Sequence, residues 1–311
     1  MLKLLEIKKK IKPDLEQINT LIDSSLNNRH PKLNDIYKYL NQQRGKQVRS
    51  SIIILIGDMY KNPNKSDLHH LAAGIELIHL ASLIHDDIID EADIRRDQET
   101  IHKKFGLNNG IIIGVHAYSI ALKLFSKIGN VNVIDKISGT VTDLCEGEFI
   151  QVNERHNLEL SEKEYWQIVD KKTAALFKTS CQLSAQLCGF SHSHVHQLTT
   201  YGKILGDIFQ LVDDYLDIYD TGNKLSKKVE QDLITGDISL PIIIAKQLSK
   251  SSSIADIKES FKTNNKIIAN KIKEEIHNKR TKSVQAITPL KDQYNTENLI
   301  NLLDIITDRI N

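Results

Sequence analysis

The fold of this chain is decided by the stretch Glu76-Leu77-Ile78-His79-Leu80-Ala81-Ser82-Leu83-Ile84-His85-Asp86-Asp87-Ile88-Ile89-Asp90. Apolar and small residues leading into it recur at steps of three and four, from Leu71 through Ile75 to Ser82. This period is typical of an α-helix, and Ser66-Asp67 upstream favours a helix start. Because the helix is apolar on nearly all sides, we expect it to lie centrally and to end in the acidic cluster.

A second stretch has the same plan. Apolar residues at helical spacing run from about Thr199 to the sequence Asp213-Asp214-Tyr215-Leu216-Asp217, and a break follows near residues 220–223. Leu240-Pro241 predicts the start of a further helix, and the polar stretch 249–282 predicts solvated amphipathic helices with loops between them. With little strand-like alternation, the chain is predicted to be all-α, a large helical bundle with its site on inward-facing side chains.

Bulk properties limit the function classes. The 311 residues are 40% hydrophobic and show no compositional break, so we expect a single domain over residues 1–311. A net charge of +1 provides no global field for nucleic acid. Three cysteines are too few for a disulfide framework, and the first residues lack a signal-peptide pattern. The expectation is a cytoplasmic protein with no nucleic-acid partner and no stable membrane insertion.

The two acidic clusters both read Asp-Asp-x-x-Asp, and their members are Asp86, Asp87, Asp90, Asp213, Asp214 and Asp217. On a helix the first and last carboxylates lie one turn apart, with the middle one offset by about 100 degrees. Crowded carboxylates repel one another unless cations occupy them, and hard oxygen ligands in incomplete sets suit Mg²⁺. A solvated acidic face is the alternative for one triplet but not for two matching ones. A di-iron bundle would need Glu-x-x-His pairs, and none stands beside these triplets.

Cationic side chains flank the first triplet. Arg95 and Arg96 follow it, and Lys46 and Arg49 precede it. Guanidinium groups bind phosphate oxygens in bidentate fashion and lysine supplies a point charge, so these residues suit a diphosphate ligand. Salt bridges with Asp93 or Asp97 are the structural alternative.

With these motifs in order, the chain resembles the trans-type polyprenyl diphosphate synthases over nearly its whole length, and it is closest to the long-chain catalytic subunits. Further matching segments are Lys172-Thr173-Ala174, Phe209-Gln210-Leu211-Val212-Asp213-Asp214, Lys227, Asp232-Leu233 and Leu240-Pro241. The resemblance implies a bundle of the isoprenoid synthase type with a central cavity. It also implies a reaction in which an allylic diphosphate ionises and is extended by isopentenyl diphosphate.

The resemblance implies a role for each matching residue. The metal ligands would be Asp86, Asp90 and Asp213, which bind Mg²⁺ with support from Asp87, Asp214 and Asp217. The allylic diphosphate or its metals would contact Arg95, Lys172, Thr173, Gln210 and Lys227. Isopentenyl diphosphate would contact Lys46, Arg49, His79 and Arg96. A homodimer, or a heterodimer with a small subunit, is the expected assembly.

Two small residues, Ala81 and Ser82, lie five and four positions before the first triplet, on the helix face that leads away from the metals. In the family, aromatic residues at these positions stop short products. The resemblance therefore implies an open tunnel and a product of C20 or longer, with about C30 to C40 expected.

The chain departs from the family pattern at several positions. Gln47 replaces a cation, Ser50 a proline and Asp97 a glycine, while His116 stands where an aspartate is common and Ser226 where a glycine is common. A lost cation and a gained anion should weaken diphosphate binding. The open hypotheses are a slow or differently tuned enzyme, a subunit that needs a partner chain, and a non-catalytic regulatory subunit. A terpene synthase shares the first triplet but normally replaces the second.

Overall fold

The computed structural model describes residues 2–27, 30–42, 45–219, 233, 235–251 and 253–310. Its helices are α1 (Leu2–Leu26), α2 (Pro31–Asn41), α3 (Val48–Gly57), α4 (Lys65–Ile89), α5 (Ile101–Phe105), α6 (Leu107–Ser126), α7 (Val131–Asn153), α8 (Glu162–Val169), α9 (Ala175–Cys188), α10 (His192–Tyr219), α11 (Leu240–Ser249), α12 (Ile254–Ile287) and α13 (Glu297–Thr307). A π-helical segment, Asp170–Ala174, joins α8 to α9, and short 3-10 turns span Thr288–Leu290 and Asp308–Ile310. The all-α prediction is confirmed.

Two short strands form a hairpin after the first triplet. Strand β1 (Ile94–Arg95) pairs antiparallel with β2 (Gln98–Glu99), and Ile94 lies opposite Glu99. This hairpin was not predicted, because two-residue strands carry too few residues for alternation to show.

The helix bounds agree with the prediction at some ends and differ at others. Helix α4 begins at Lys65 behind the N-cap Asn64, one residue before the predicted start, and α11 begins at Leu240 as predicted. The start of α10 near Thr199 was wrong, because the helix begins at His192 and buries Val195 in its first turn. The prediction of loops within residues 249–282 was also wrong. Residues Ile254–Ile287 form one helix, since buried isoleucines keep a period of three to four through the polar sequence.

One compact unit comprises Met1–Ser138 and Leu183–Ser191. Within it, α4 packs along α6, α3 and α1. Gly74 allows the close approach of α6, because a Cβ there would lie 2.4 Å from the ring of Phe125. The buried carboxylate of Asp14 on α1 accepts hydrogen bonds from Lys65 and His69 on α4. The apolar helix predicted to be central therefore has neighbours on several sides within this unit.

The second compact unit comprises Gly139–Gln182 and His192–Asn311. Helix α10 packs against α12 and the π-helical segment, and α11 packs against α12. Tyr201 on α10 is fully buried and its hydroxyl donates to the carbonyl of Leu299 on α13 at 2.8 Å. These contacts pack α10 against its neighbours, and Tyr201 lies twelve residues before the second triplet.

Among the described residues, one helix is long and apolar enough to cross a bilayer by length and composition alone, and it is α6. In its most apolar window 39% of the residues are buried inside the protein. A packed helix of a folded core passes the same test, so this helix is weak evidence for a membrane span.

Candidate active site

The first triplet closes α4, and its three carboxylates have different surroundings. Asp87 is buried, Asp86 is half-buried and Asp90 is exposed. Arg95 Nε donates to Asp87 Oδ1 at 2.6 Å. Burial raises the pKa of Asp87, and the charge of Arg95 opposes that rise. The middle carboxylate is thus held by the protein, while the outer two face the surface.

The hairpin after the triplet turns at Arg96 and Asp97, whose φ angles are 50° and 62°. Two successive positive φ values are typical of the tight I′ hairpin turn, in which glycine is common and aspartate is tolerated. The guanidinium of Arg96 lies over Gly45, where a Cβ would be 3.0 Å from Nη2. The turn therefore brings Arg96 to the loop that carries Lys46, which is exposed.

His79 lies one to two turns before the triplet on α4 and has three arginines around it. Burial first, and then the positive charges of Arg49, Arg96 and Arg95, lower the pKa of His79 well below its usual value. Arg49 is itself buried, with 8% of its surface exposed. The structure thus gathers the predicted cations Arg49 and Arg96 around His79, as an anion site requires.

The departures from the family pattern have local partners. The side chain of Gln47 donates from Nε2 to Asn19 Oδ1 at 2.8 Å. Ser50 is fully buried, and its hydroxyl donates to Glu76 Oε1 at 2.7 Å. A proline at this position would lack the backbone N–H that also donates to Glu76 at 3.1 Å. At the start of α3, Gln47 thus has a neutral amide partner, whereas Ser50 donates to a carboxylate.

An apolar cleft of about 80 Å³ lies beside the first triplet. Its wall includes Leu80, Leu83 and Ile84 together with the polar side chains of Asp87 and Arg95. Ala81 is fully buried, and half-buried Ser82 donates from Oγ to the carbonyl of His79 at 2.9 Å. Their role in setting product length stays a prediction.

The second triplet repeats this arrangement at the end of α10. Asp214 is buried, Asp213 is half-buried and Asp217 is exposed. Gln210 Nε2 donates to Asp214 Oδ1 at 2.8 Å, and Tyr165 donates from its hydroxyl to Oδ2 at 2.7 Å. Burial raises the pKa of Asp214 to about 6, although these two hydrogen bonds and a third from the backbone of Leu240 act to lower it. The middle carboxylate is again held by protein donors.

Lys172 and Thr173 are positioned by the π-helical segment. Lys172 forms an ion pair with Glu148 of α7, and Thr173 Oγ1 donates to Gln210 Oε1 at 2.7 Å. Short π-helical insertions are frequent at functional sites. Two glycines permit the close packing of the segment: a Cβ would lie 2.6 Å from Lys172 N at Gly147 and 2.5 Å from Ala174 Cα at Gly206.

A polar cleft of about 250 Å³ opens in the second unit. Five predicted site residues line it, namely Lys172, Thr173, Gln210, Asp214 and Asp217. Asp213 instead accepts a hydrogen bond from Arg309 Nη1 at 3.1 Å. Lys227 and Ser226 lie outside the described residues.

Three residues with a place in this geometry were not predicted. They are Tyr165, Glu148 and Arg309. An aromatic residue or a single charge carries no sequence signal for a partner far along the chain, and only tertiary contacts identify these pairs. Within the described residues, no three or more histidine, cysteine, aspartate or glutamate side chains converge closely enough to hold a metal ion unaided.

The polyprenyl synthetase family model matches residues 30–278. The chain belongs to the polyprenyl synthetase family. It is 30% identical over 322 residues to an octaprenyl diphosphate synthase of Haemophilus influenzae, covering 98% of this chain and 96% of that protein. It is also 30% identical to heptaprenyl diphosphate synthase component 2 of Geobacillus stearothermophilus, over 75% of this chain and 72% of that protein.

The fold agrees with this membership. A polyprenyl synthase from Caulobacter crescentus, solved in complex with calcium and isoprenyl diphosphate, superposes with a TM-score of 0.83 at 21% identity, covering 98% of this chain and 96% of that one. The chain is therefore a trans-prenyltransferase with the isoprenoid synthase fold, an enzyme of the class that elongates an allylic prenyl diphosphate to C20 or longer.

Proposed function

We propose that this polyprenyl synthetase condenses isopentenyl diphosphate with an allylic diphosphate to make a long-chain product of about C30 to C40, with Mg²⁺ as its metal. The observation that carries the proposal is the common construction of the two triplets. In each, the middle aspartate is buried and hydrogen-bonded by the protein, while the first is half-buried and the last is exposed. A solvated acidic face gives no reason for a middle carboxylate that is held, in both triplets, by a donor from another element.

The donor set fits Mg²⁺. Asp86 and Asp90 offer carboxylate oxygens one helical turn apart on α4, and Asp213 offers another on α10. Mg²⁺ is usually bound by one or two carboxylates and completes its shell with water and substrate phosphate, so incomplete protein ligand sets are what it requires. When bound, it offsets the negative charge that builds on the departing pyrophosphate.

The remaining site residues divide between the two diphosphates. Arg95, Lys172, Thr173, Gln210 and Lys227 are proposed to hold the allylic diphosphate. Lys46, Arg49, His79 and Arg96 are proposed to hold isopentenyl diphosphate. The second assignment is supported by Arg49 and Arg96, whose charges act after burial to lower the pKa of His79, because the same positive field attracts a diphosphate.

The apolar wall beside the first triplet has a chemical purpose in this proposal. Ionisation of the allylic C–O bond leaves a delocalised carbocation, which water would quench. Leu80, Leu83 and Ile84 line the cleft beside Asp87 and Arg95, and this apolar wall would shield the cation from water on one side. The double bond of isopentenyl diphosphate then attacks the cation, and the proton lost afterwards can pass to the released pyrophosphate.

We also propose that α6 forms the interface with a second copy of the chain. Five apolar residues on this helix are exposed: Leu107, Ile111, Ile112, Val115 and Leu122. Their positions share one side of the 20-residue helix, within about 140 degrees around its axis, so they form an apolar stripe. Contiguous exposed apolar surface of this kind marks a protein interface. A heterologous small subunit is the competing occupant, since one relative is named as component 2 of its enzyme.

A cytoplasmic location completes the proposal. Three free cysteines, two of them buried, are compatible with a reducing compartment. Helix α6, the one helix among the described residues that is both long and apolar enough for a bilayer, packs on α4 and carries the proposed interface.

Elongation by the purified chain tests the function. The protein is incubated with Mg²⁺, labelled isopentenyl diphosphate and, in separate reactions, geranyl, farnesyl or geranylgeranyl diphosphate, and the products are sized. We expect discrete long products that disappear with EDTA and in Asp86→Ala and Asp213→Asn. Asp135→Asn, which removes an exposed carboxylate of α7, is the matched control and should keep activity.

The possible negative results are distinct. Elongation only after addition of a second polypeptide would show that the chain is a subunit that needs a partner and would contradict an active homodimer. Release of pyrophosphate with a cyclised hydrocarbon product would indicate a terpene synthase. A folded wild-type protein inactive under all these conditions would support the regulatory subunit.

A further inference from the structure

Asp214 is more deeply buried than the other two aspartates of its triplet. Its Oδ2 accepts from the Tyr165 hydroxyl at 2.7 Å and its Oδ1 accepts from Gln210 Nε2 at 2.8 Å. Both residues of the Tyr165–Asp214 pair are buried. A carboxylate whose two oxygens are engaged in the interior anchors its helix.

Tyr165 is itself presented by a short and well-fixed helix. Helix α8 begins with a capping box, in which Ser161 and Glu164 exchange hydrogen bonds between side chain and backbone. On the adjacent residue, Trp166, the ring receives the ammonium of Lys279 at 3.8 Å from its centroid, and Lys279 pairs with buried Asp207 on α10 at 3.0 Å. Helix α8 therefore has a second connection to α10, independent of the triplet.

The anchor also continues into the π-helical segment. Thr173 donates to Gln210 Oε1, and Gln210 in turn donates to Asp214. One chain of hydrogen bonds thus runs from Thr173 through Gln210 and Asp214 to Tyr165. Because buried polar networks specify one arrangement when every member is satisfied, this chain defines the rotation of the last turns of α10.

We propose that Tyr165 is a positioning residue that acts through Asp214, holding α10 at the rotation in which Asp213 and Asp217 can present their carboxylates to metal and diphosphate. This proposal rests on the proposed function of the second triplet. Without the phenolic donor, Asp214 retains only the hydrogen bonds from Gln210 and the backbone of Leu240, and the loss of one donor to a buried carboxylate is costly enough to favour rotation of that side chain toward water. Asp213 and Asp217 would then no longer point in the direction that metal binding requires.

Tyr165→Phe tests the proposal, with Tyr201→Phe as its matched control. Both changes remove one hydroxyl from a buried tyrosine in the same unit, but Tyr201 donates to the carbonyl of Leu299, away from the triplet. We measure the Mg²⁺ concentration for half-maximal elongation, and the rise in melting temperature caused by Mn²⁺ with inorganic pyrophosphate, which reports binding without catalysis. Tyr165→Phe should raise the half-saturating Mg²⁺ about five- to tenfold and reduce the melting-temperature rise.

Asp214→Asn and the double variant complete a mutant cycle. If Tyr165 acts through Asp214, its substitution in the Asp214→Asn background should change half-saturation less than twofold. The double variant also removes the buried charge, so it provides the comparison with Asp214→Asn should Tyr165→Phe alone fail to fold.

The outcomes separate this inference from the proposed function. A Tyr165→Phe enzyme indistinguishable from Tyr201→Phe, or additive effects in the cycle, would overturn the positioning role. The proposed synthase function would still stand if the wild type is active. A wild type that neither elongates nor responds to Mn²⁺ with pyrophosphate would overturn both. Increased half-saturation in both tyrosine variants would show a general stability effect and would also overturn the inference.

Discussion

Asp87 and Asp214 show how residues of one type acquire different tasks. Each is the middle aspartate of a triplet, and each is buried with a hydrogen-bond donor from another element, Arg95 for the first and Tyr165 for the second. Helix geometry explains the pattern, because the middle position is rotated by about 100 degrees from the first. When the outer carboxylates face the surface, the middle one faces the packing side of the helix.

Product length is a prediction at the residue scale. Ala81 is fully buried on α4, five residues before Asp86. If this face of the helix lines the path of the growing chain, Ala81→Phe should shorten the main product by several isoprene units. Product sizing by reversed-phase chromatography measures this, and circular dichroism melting confirms that the variant folds. Ser82→Phe, at a half-buried position, provides a second variant. An unchanged product in both would reject the tunnel assignment.

His79 predicts a pH dependence of stability. Its pKa in the folded state lies well below the usual 6.5, so below that pH the unfolded chain takes up a proton that the folded chain does not. Stability contributed by neutral His79 is therefore present above pH 6.5 and is lost as the pH falls, with a slope of up to about 1.4 kcal/mol per pH unit. Urea unfolding between pH 5 and pH 7 measures the slope, which should be shallower in His79→Gln. Equal slopes would show that His79 is protonated in the folded protein.

At the scale of elements, the π-helical segment depends on glycines in the helices beside it. Gly206 on α10 lies so close that a Cβ would be 2.5 Å from Ala174 Cα, a backbone atom that cannot rotate away. The segment carries Lys172 and Thr173, so a shift of the segment would move these two proposed site residues. Sequence alone indicates neither the π-helix nor its close neighbour.

Gly206→Ala should therefore destabilise the protein by about 1 to 3 kcal/mol through overpacking and raise the KM for the allylic diphosphate. Gly139→Ala is the matched control, because no atom lies within 4 Å of a Cβ at that helical position. It should be neutral or stabilising by about 0.5 to 1 kcal/mol, as expected for alanine in place of glycine in a helix. Thermal melts and steady-state kinetics compare the two, and similar behaviour would contradict the close packing.

At the scale of the whole molecule, the apolar stripe on α6 predicts the assembly. Light scattering of the purified chain should give the mass of a dimer. Ile112→Glu places a charge on a side chain that is 59% exposed and should shift the protein to monomers. Ile254→Glu makes the same change at an isolated exposed isoleucine, 47% exposed on α12, and should keep the dimer. A monomeric wild type would contradict the homodimer and would assign the apolar stripe to a different partner chain.

Much of this protein could be predicted from its sequence alone. The all-α class followed from apolar residues at steps of three and four, and the two acidic triplets followed from spacing, because both patterns are local to one helix. Family membership followed from the same motifs. The long helix α12 was misread because its buried isoleucines are spread through a polar sequence, and the start of α10 was missed because histidines obscure its first turns.

Only the tertiary structure decided which side chains meet. The pairs Tyr165–Asp214, Lys172–Glu148 and Arg309–Asp213 join residues 24 or more positions apart in the sequence, and no local pattern encodes such contacts. The division of each triplet into one buried anchor and two outward carboxylates likewise depends on what packs against the helix. Short-range periodicity therefore determined the elements and the chemistry available, whereas burial and long-range hydrogen bonds decided which carboxylates support the helix and which are left at its surface.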